Sequence, residues 1–187
     1  MIRLAIFASG SGTNAENIIN HFDKSTFVEI VWVLTNNKSA GVIERSKRLK
    51  IPYQVFSKED LNGIAFHKFL KKEVDFIVLA GFLLKIPTKI IQMYPSKIVN
   101  IHPALLPNYG GKGMYGMYVH EAVVANKESK TGITIHYVNK NYDEGAIIFQ
   151  KEIPLTKKDT AADVAKKIHQ LEQDNFPIII EKFLLNN

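Results

Sequence analysis

Apolar runs that suit buried strands alternate with helical periodicity through the first half of the chain. Residues 3–8 are an apolar strand candidate, a glycine-containing turn follows over residues 9–14, and residues 15–22 place apolar side chains at i, i+3, i+4 and i+7, which is one face of a helix. Further strand candidates lie over residues 29–34 and 74–80. This alternation predicts an open, doubly wound and mostly parallel sheet of the α/β class, with right-handed crossovers.

The pattern changes in the last third of the chain. Residues 131–138 and 146–153 are strand candidates joined by a polar turn, which is typical of an antiparallel hairpin. One helix is expected to start at Thr160 and another at Pro177. The chain has 187 residues, enough for one substantial core, so we expect a single domain over residues 1–187.

The composition and net charge of the chain indicate which kinds of binding partner to expect. The formal net charge is +6, which favours anionic small molecules such as phosphates and polycarboxylates. The only arginines are Arg3, Arg45 and Arg48, and no run of lysines is longer than a pair, so we do not expect nucleic acid as a partner. The chain has no cysteine and no two histidines at helical i, i+4 spacing. No metal site is therefore expected.

The N-terminal residues lead directly into a strand-like pattern without the architecture of a signal peptide, and no apolar run is long enough to cross a bilayer. We therefore expect a cytoplasmic protein with no membrane partner. We expect it to act on small-molecule substrates as a monomer or homodimer.

Two polar side chains interrupt an apolar strand candidate over residues 98–102. Asn100 and His102 are two positions apart, so on an extended strand they point to the same face, and Pro103 ends the strand. An amide donor beside an imidazole suits stabilisation of an oxyanion. An isolated pair of this kind is more often the polar end of a strand without a catalytic role. The surrounding motifs are therefore needed to choose between the two interpretations.

The turn over residues 9–14 leads from a strand into a helix, where free amides and the helix dipole favour a phosphate. Two other interpretations compete. Thr13 and Glu16 match a capping box, in which the carboxylate would partly oppose a phosphate. The glycine spacing from Gly10 to Ala15 imitates a dinucleotide fingerprint, but residues 35–37 after the second strand include no acidic group for a ribose diol. A monophosphate is therefore favoured.

Two further loops that follow strand candidates are candidate ligand-binding loops. Residues 81–86 and 100–107 follow strand candidates, and ligands of open parallel sheets bind at the carboxyl ends of the strands. The glycine-rich segment Gly110–Gly116 suits a mobile lid or a plain linker.

Four motifs stand in an order and spacing that resemble a known family. They are Ser9-Gly10-Ser11-Gly12-Thr13-Asn14, Leu79-Ala80-Gly81-Phe82, Asn100-Ile101-His102-Pro103-Ala104-Leu105-Leu106-Pro107 and Tyr142-Asp143-Glu144-Gly145. The set resembles the folate-dependent formyltransferases, and among them the branch that formylates phosphoribosylglycinamide in purine biosynthesis. The resemblance implies a Rossmann-like formyltransferase fold and 10-formyltetrahydrofolate as the formyl donor.

The resemblance also implies roles for individual residues. The catalytic group would be Asn100, His102 and Asp143. Phosphoribosylglycinamide would be held by Gly12, Thr13, Asn14, His169, Gln170, Leu171 and Glu172. The folate would be flanked by Leu83, Leu84, Lys85, Ile86, Asn100, Asn139, Lys140, Asn141, Tyr142 and Asp143. His136 lies mid-strand, and we expect it to be structural or peripheral.

The implied mechanism is direct attack of the substrate amine on the formyl carbon through a tetrahedral intermediate. Asn100 and protonated His102 would donate to its oxyanion, and Asp143 is expected to raise the pKa of His102. Leu84 stands where many relatives have Arg, so no residue is assigned to the glutamate tail of the folate beyond Lys85 as a candidate.

The alternatives are two closely related activities and two proteins of other classes. A formyltetrahydrofolate hydrolase would use the same three catalytic residues with water as acceptor, and a transferase acting on initiator methionyl-tRNA would share the core. We expect neither, because their additional domains have no counterpart in residues 1–187. A non-catalytic nucleotide-binding module would not need Asn100, His102 and Asp143, and a dinucleotide oxidoreductase ranks last.

Overall fold

Strands and helices alternate in the computed structural model, which describes residues 1–186. The elements up to the middle of the chain are β1 (Ile2–Phe7), α1 (Thr13–Phe22), β2 (Val28–Thr35), α2 (Val42–Arg48), β3 (Tyr53–Val55), α3 (Lys58–Asn62), α4 (Ile64–Glu73), β4 (Phe76–Leu79), α5 (Thr88–Met93) and β5 (Ile98–His102). They are followed by α6 (Met117–Ala125), β6 (Lys130–Tyr137), β7 (Ile147–Pro154) and α7 (Ala161–Leu185).

The strands form a seven-stranded sheet in the order β3-β2-β1-β4-β5-β6-β7. The pairs β1–β2, β1–β4, β2–β3 and β4–β5 are parallel, and β6–β7 is antiparallel. The predicted α/β class, the mostly parallel sheet and the C-terminal hairpin are thus confirmed. The chain divides into two compact units, residues 1–100 and 101–187. That the whole chain is one domain stays a prediction.

In the first unit, the core forms around β1 and β4. All of β4 and the second half of β1 are buried, as expected for parallel strands covered on both faces. The Phe7 ring packs against Phe56, Phe66 and Phe82 at centroid distances of 5.8, 6.5 and 5.3 Å. The predicted apolar face of α1 is buried as well.

Ser9 ties together the loops that leave three strands of this unit. Its backbone N–H donates to the Gly81 carbonyl at 3.0 Å, and its hydroxyl donates to Asn36 Oδ1 at 2.6 Å. The same hydroxyl oxygen accepts from the backbone N–H of Leu83 at 2.9 Å. The carboxyl ends of β1, β2 and β4 are therefore held together by one side chain.

In the second unit, α7 is one helix and not two. The capping box between Thr160 and Asp163 is present at its start, but Pro177 lies inside the helix, so the prediction of a second helix opening there is wrong. An interior proline costs about 3 kcal/mol. The neighbouring side chains Phe176, Ile180 and Phe183 are buried, and each contributes about 1.5–3 kcal/mol. Packing on both sides of the proline therefore outweighs its cost.

Within residues 1–186, no helix combines the length and the apolar character needed to span a membrane. The peptide bond between Leu106 and Pro107 is cis.

Candidate active site

His102 and Asp143 meet in the second unit. His102 is the last residue of β5 and is buried. Its Nε2 lies 2.7 Å from the Tyr109 carbonyl oxygen, and because a carbonyl only accepts, Nε2 carries the proton and donates. The other ring nitrogen, Nδ1, lies 3.6 Å from Asp143 Oδ2. Two of the three residues predicted to form the catalytic group are therefore side by side.

Asp143 is held in the turn between β6 and β7 with a left-handed φ of 56°. Its Oδ2 accepts a hydrogen bond of 2.9 Å from the backbone N–H of Gly111, and its Oδ1 lies 3.6 Å from His136 Nε2. A Cβ on Gly110 would stand 2.5 Å from Leu106 Cδ2 and 3.2 Å from Asp143 Cβ. The glycine-rich segment thus braces the carboxylate, a role that the sequence did not reveal.

Burial dominates the protonation of His102. It lowers the pKa of the imidazole, and the opposing effects of the Asp143 charge and of the hydrogen bond to Tyr109 do not restore it. Asp143 does favour the charged ring, as predicted, but the prediction of a raised pKa for His102 is wrong. The reason is that removal of the ring from water costs the charged form more than the nearby carboxylate returns.

For the pKa of Asp143, the neighbouring groups outweigh burial. Burial alone would raise the pKa of its carboxyl group, yet the pKa lies below its ordinary value because of His136, the charge of His102 and the Gly111 N–H. Asp143 is therefore ionised at neutral pH, which allows it to orient His102.

The turn between β1 and α1 in the first unit contains Gly12, Thr13 and Asn14. Gly12 is the N-cap of α1 with φ 78°, and no side chain caps the helix, so the competing interpretation of Thr13 and Glu16 as a capping box is wrong. A Cβ on Gly12 would stand 2.5 Å from Val42 Cβ, which only glycine avoids. A helix N-terminus without a side-chain cap favours an anion.

Glu16 is paired elsewhere. Its carboxylate forms ion pairs with Arg45 and Arg48 of α2, and Arg45 Nε donates to the Ser11 carbonyl at 2.8 Å. The negative charge that was expected to oppose a phosphate is therefore balanced by two guanidinium groups. Sequence reasoning missed these pairs because they join positions that lie far apart in the chain.

A family model described as formyl transferase matches residues 2–180. The chain belongs to the formyl transferase family. The phosphoribosylglycinamide formyltransferase of Bacillus subtilis (strain 168) is 35% identical over 195 residues, a match that covers 100% of this chain and 97% of that protein. The chloroplastic enzyme of the same name from Arabidopsis thaliana is 40% identical over 174 residues, covering 89% of this chain.

The chain spans 60% of the length of its relatives from Arabidopsis thaliana and Vigna unguiculata. Among solved structures, the phosphoribosylglycinamide formyltransferase from Bacillus halodurans superposes with a TM-score of 0.87 at 34% identity, covering 97% of this chain and 95% of that one. The protein from Streptococcus pneumoniae TIGR4 superposes with the same TM-score at 27% identity, covering 98% and 99%.

The third residue of the predicted catalytic group, Asn100, lies on β5 two positions before His102 and is half-buried. The strand geometry that the prediction required is therefore present. Its catalytic role stays a prediction.

The residues predicted on α7 differ in their surroundings. His169 Nδ1 lies 3.7 Å from Glu172 Oε2, and the charge of Glu172 acts on His102 by favouring the protonated ring. Gln170 is exposed and donates to Asp174 Oδ1 at 2.8 Å, whereas Leu171 is buried. Of the four, His169 and Glu172 thus carry polar side chains that lie close to each other.

Apart from Asn100 on β5, the residues predicted to flank the folate lie in two loops, one in each unit. In the first, Leu83 and Lys85 are exposed, Leu84 is half-buried and Ile86 is buried. In the second, the turn is largely exposed. It is ordered by hydrogen bonds from Asn141, whose backbone N–H donates to Asn139 Oδ1 at 2.9 Å and whose amide donates to Glu144 Oε2 at 2.6 Å. The remaining members of that turn are Lys140 and Tyr142.

His120 on α6 is a buried histidine that sequence reasoning did not single out. Its Nδ1 has no hydrogen-bond partner among the described residues. Burial lowers the pKa of the ring, against the charge of Glu172. Among residues 1–186, no group of three His, Cys, Asp or Glu side chains is arranged to hold a metal ion.

Proposed function

We propose that this chain transfers the formyl group of 10-formyltetrahydrofolate to the amine of phosphoribosylglycinamide. The observation that carries the proposal is the buried pair of His102 and Asp143, whose Nδ1 and Oδ2 lie 3.6 Å apart, in a member of the formyl transferase family. Its relatives from Bacillus subtilis and Arabidopsis thaliana bear the name of this activity.

The chemistry is direct transfer. The neutral amine attacks the formyl carbon, and the carbonyl electron pair moves to the oxygen, so that a tetrahedral intermediate with an oxyanion forms. The Asn100 amide and an N–H of His102 donate to that oxyanion. The carbon–nitrogen bond to the folate N10 then breaks. Its electron pair goes to N10, which gains a proton, and the attacking amine loses one.

His102 must change partners for this step. Its Nε2–H donates to the Tyr109 carbonyl, and its Nδ1 faces Asp143. A donor for the oxyanion becomes available when Nε2–H leaves or shares the Tyr109 carbonyl. Because Nε2–H of His102 is bound to the Tyr109 carbonyl, we infer that this carbonyl moves when substrate binds.

The remaining assignments follow the same proposal. The amides at Gly12, Thr13 and Asn14 bind the phosphate of the ribonucleotide, and Glu172 with residues 169–171 contacts its sugar and glycinamide. Residues 83–86 and 139–143 flank the folate. We further propose that residues 1–187 act as a single formyltransferase domain, in the cytoplasm and as a monomer or homodimer.

The proposal is tested by following the absorbance of deformylated folate during incubation with 10-formyltetrahydrofolate, with and without phosphoribosylglycinamide. Release that requires the ribonucleotide supports the transferase, and His102→Ala should abolish it. Release that does not require it indicates a hydrolase. No release in either mixture indicates a binding module without catalysis.

A further inference from the structure

Residues 109–111 contact both members of the buried pair of His102 and Asp143. The Tyr109 carbonyl oxygen lies 2.7 Å from His102 Nε2, and the Gly111 N–H donates to Asp143 Oδ2 at 2.9 Å. Three consecutive residues therefore hold the imidazole and the carboxylate through their backbone.

Two acceptors compete for the proton of a neutral His102 ring. Asp143 Oδ2 faces Nδ1 at 3.6 Å, and the Tyr109 carbonyl faces Nε2 at 2.7 Å. A separation of 2.7 Å is that of a hydrogen bond, whereas 3.6 Å is longer than one. Because a carbonyl only accepts, an unprotonated Nε2 would leave two lone pairs facing each other. The carbonyl therefore directs the proton to Nε2.

The position of this proton matters because the ring is buried. Burial lowers the pKa of His102 below its ordinary value, so at neutral pH most rings carry a single proton. A ring with that proton on Nδ1 would donate to Asp143 and would have no N–H at Nε2 for an oxyanion. A ring with the proton on Nε2 already has this donor.

Two features hold the Tyr109 carbonyl in place. The backbone of Tyr109 has a left-handed φ of 57°, a conformation that sets the direction of the carbonyl and that β-branched residues avoid. The phenol donates to Glu128 Oε1 at 2.6 Å and accepts from Asn126 Nδ2 at 2.9 Å. Both partners lie in the turn between α6 and β6, so the phenol ties residue 109 to a different part of the second unit.

We propose that Tyr109 is a positioning residue for the transfer reaction. Its carbonyl keeps the proton of the neutral His102 ring on Nε2, and its left-handed backbone and its phenol hold that carbonyl. The oxyanion takes the place of the carbonyl when the reaction begins, so no proton has to move between the two ring nitrogens. This inference rests on the proposed formyl transfer and deepens it.

Replacement of Tyr109 by Asn and by Val separates the backbone from the side chain. The two residues are similar in size and both lack the phenol, but Asn tolerates a left-handed backbone and Val does not. We expect Tyr109→Val to lose about 5- to 30-fold in kcat, the factor that corresponds to the cost of a left-handed conformation. Tyr109→Asn should lose less than about fivefold, the effect of one hydrogen bond. Tyr109→Phe, which lacks only the hydroxyl, should match the Asn variant.

A second readout does not depend on activity and would not respond to a role in packing alone. Nitrogen-15 NMR of labelled histidine, in the protein without substrates at about pH 8, shows which nitrogen of the neutral ring is protonated. The signals of His102 are assigned by their loss in His102→Ala. The other titratable groups that act on this ring are Asp143, His136, Glu172 and His120, and all of them are kept in the Tyr109 variants.

In the wild type and in Tyr109→Asn, rings with the proton on Nε2 should outnumber those with it on Nδ1 by roughly tenfold, the preference that one hydrogen bond gives. In Tyr109→Val, this ratio should fall to about twofold or less, because the cost of the left-handed backbone displaces the carbonyl.

Tyr94→Phe is the matched control. Tyr94 is buried in the first unit, and its hydroxyl donates to the Val74 carbonyl at 3.2 Å, so this variant also loses a phenol hydrogen bond. It should lower the melting temperature and leave both kcat and the His102 signals unchanged.

Three results would each overturn the positioning role of Tyr109. They are a proton on Nδ1 in the wild type, the same proton position in the wild type and in Tyr109→Val, and losses of kcat that follow the melting temperature across all variants, Tyr94→Phe included. A wild-type protein with the expected signals but without transfer activity would instead overturn the proposed function alone.

Discussion

Asp143 Oδ2 lies 3.6 Å from His102 Nδ1, and both side chains are largely removed from water. A carboxylate at this distance favours the imidazolium form, and it fixes the orientation of the ring. Burial nevertheless lowers the pKa of His102 below its usual value. In the proposed reaction, Asp143 would therefore orient the His102 ring and offset part of the cost of charging it.

Replacement of Asp143 by Asn should reduce kcat by about 10²- to 10⁴-fold, the range typical for loss of a positioned acid–base group. The pKa of His102 should fall further, because the attraction of the carboxylate is gone. Steady-state kinetics with both substrates saturating measure the effect. Asp159→Asn is a suitable control, since that carboxylate pairs with Lys167. Full activity of the Asp143 variant would remove this residue from the mechanism.

The buried histidines should make folding stability depend on pH. Burial lowers the pKa of both His102 and His120, so the folded protein binds protons less readily than the unfolded chain. The associated stability is present above about pH 6.5, the unfolded value, and is lost as the pH falls through the lower folded values. Urea unfolding between about pH 7.5 and pH 5 measures this loss.

His120→Leu provides the comparison for that titration, because it removes one of the two groups. The decline of the urea midpoint on acidification should be shallower in the variant than in the wild type. A decline of equal steepness, or a midpoint that rises on acidification, would contradict the assignment of this window to buried histidines.

Gly12→Ala should destabilise the first unit and weaken binding of the ribonucleotide. The residue has φ 78°, and an added Cβ would overlap Val42. We expect a loss of about 2–4 kcal/mol in the free energy of unfolding, from the left-handed backbone and the overlap together, with a raised KM for phosphoribosylglycinamide. Gly10→Ala is the control for stability, since no atom lies within 4 Å of its Cβ position. Equal stability of the two variants would count against this account.

Arg45→Gln should raise the KM for the ribonucleotide by up to about tenfold, the effect of one charge-assisted hydrogen bond. The substitution removes the donor to the Ser11 carbonyl and one of the two cations that neutralise Glu16. Lys47→Gln, which breaks only the exposed pair with Glu44, should leave KM unchanged. An unaltered KM in the Arg45 variant would show that the loop needs no such support.

Short-range pattern predicted the parts of the fold that depend on neighbouring residues. The alternation along residues 3–8, the helical spacing of residues 15–22 and the paired apolar strands near the C-terminus each correspond to an observed element. The pairing of His102 with Asp143 was also expected, though only through the resemblance to a family.

The predictions that failed did so because of contacts between residues that lie far apart in the chain. Glu16 has a local partner available in Thr13, yet it pairs with two arginines that α2 brings close. The helix continues through Pro177 because of packing on both sides. The direction of the pKa shift of His102 is set by burial, which no spacing of charged residues reveals. His136 Nε2 lies 3.6 Å from Asp143 Oδ1, a contact between two parts of the hairpin that the sequence pattern did not predict.

The most direct test of the central claim follows the formyl carbon itself. The chain is incubated with phosphoribosylglycinamide and 10-formyltetrahydrofolate that carries carbon-13 in its formyl group, and the label is observed by NMR. We expect the signal to move to the formamide of the ribonucleotide, in an amount equal to that of the folate released. A signal that appears in free formate, or that stays on the folate, would contradict it.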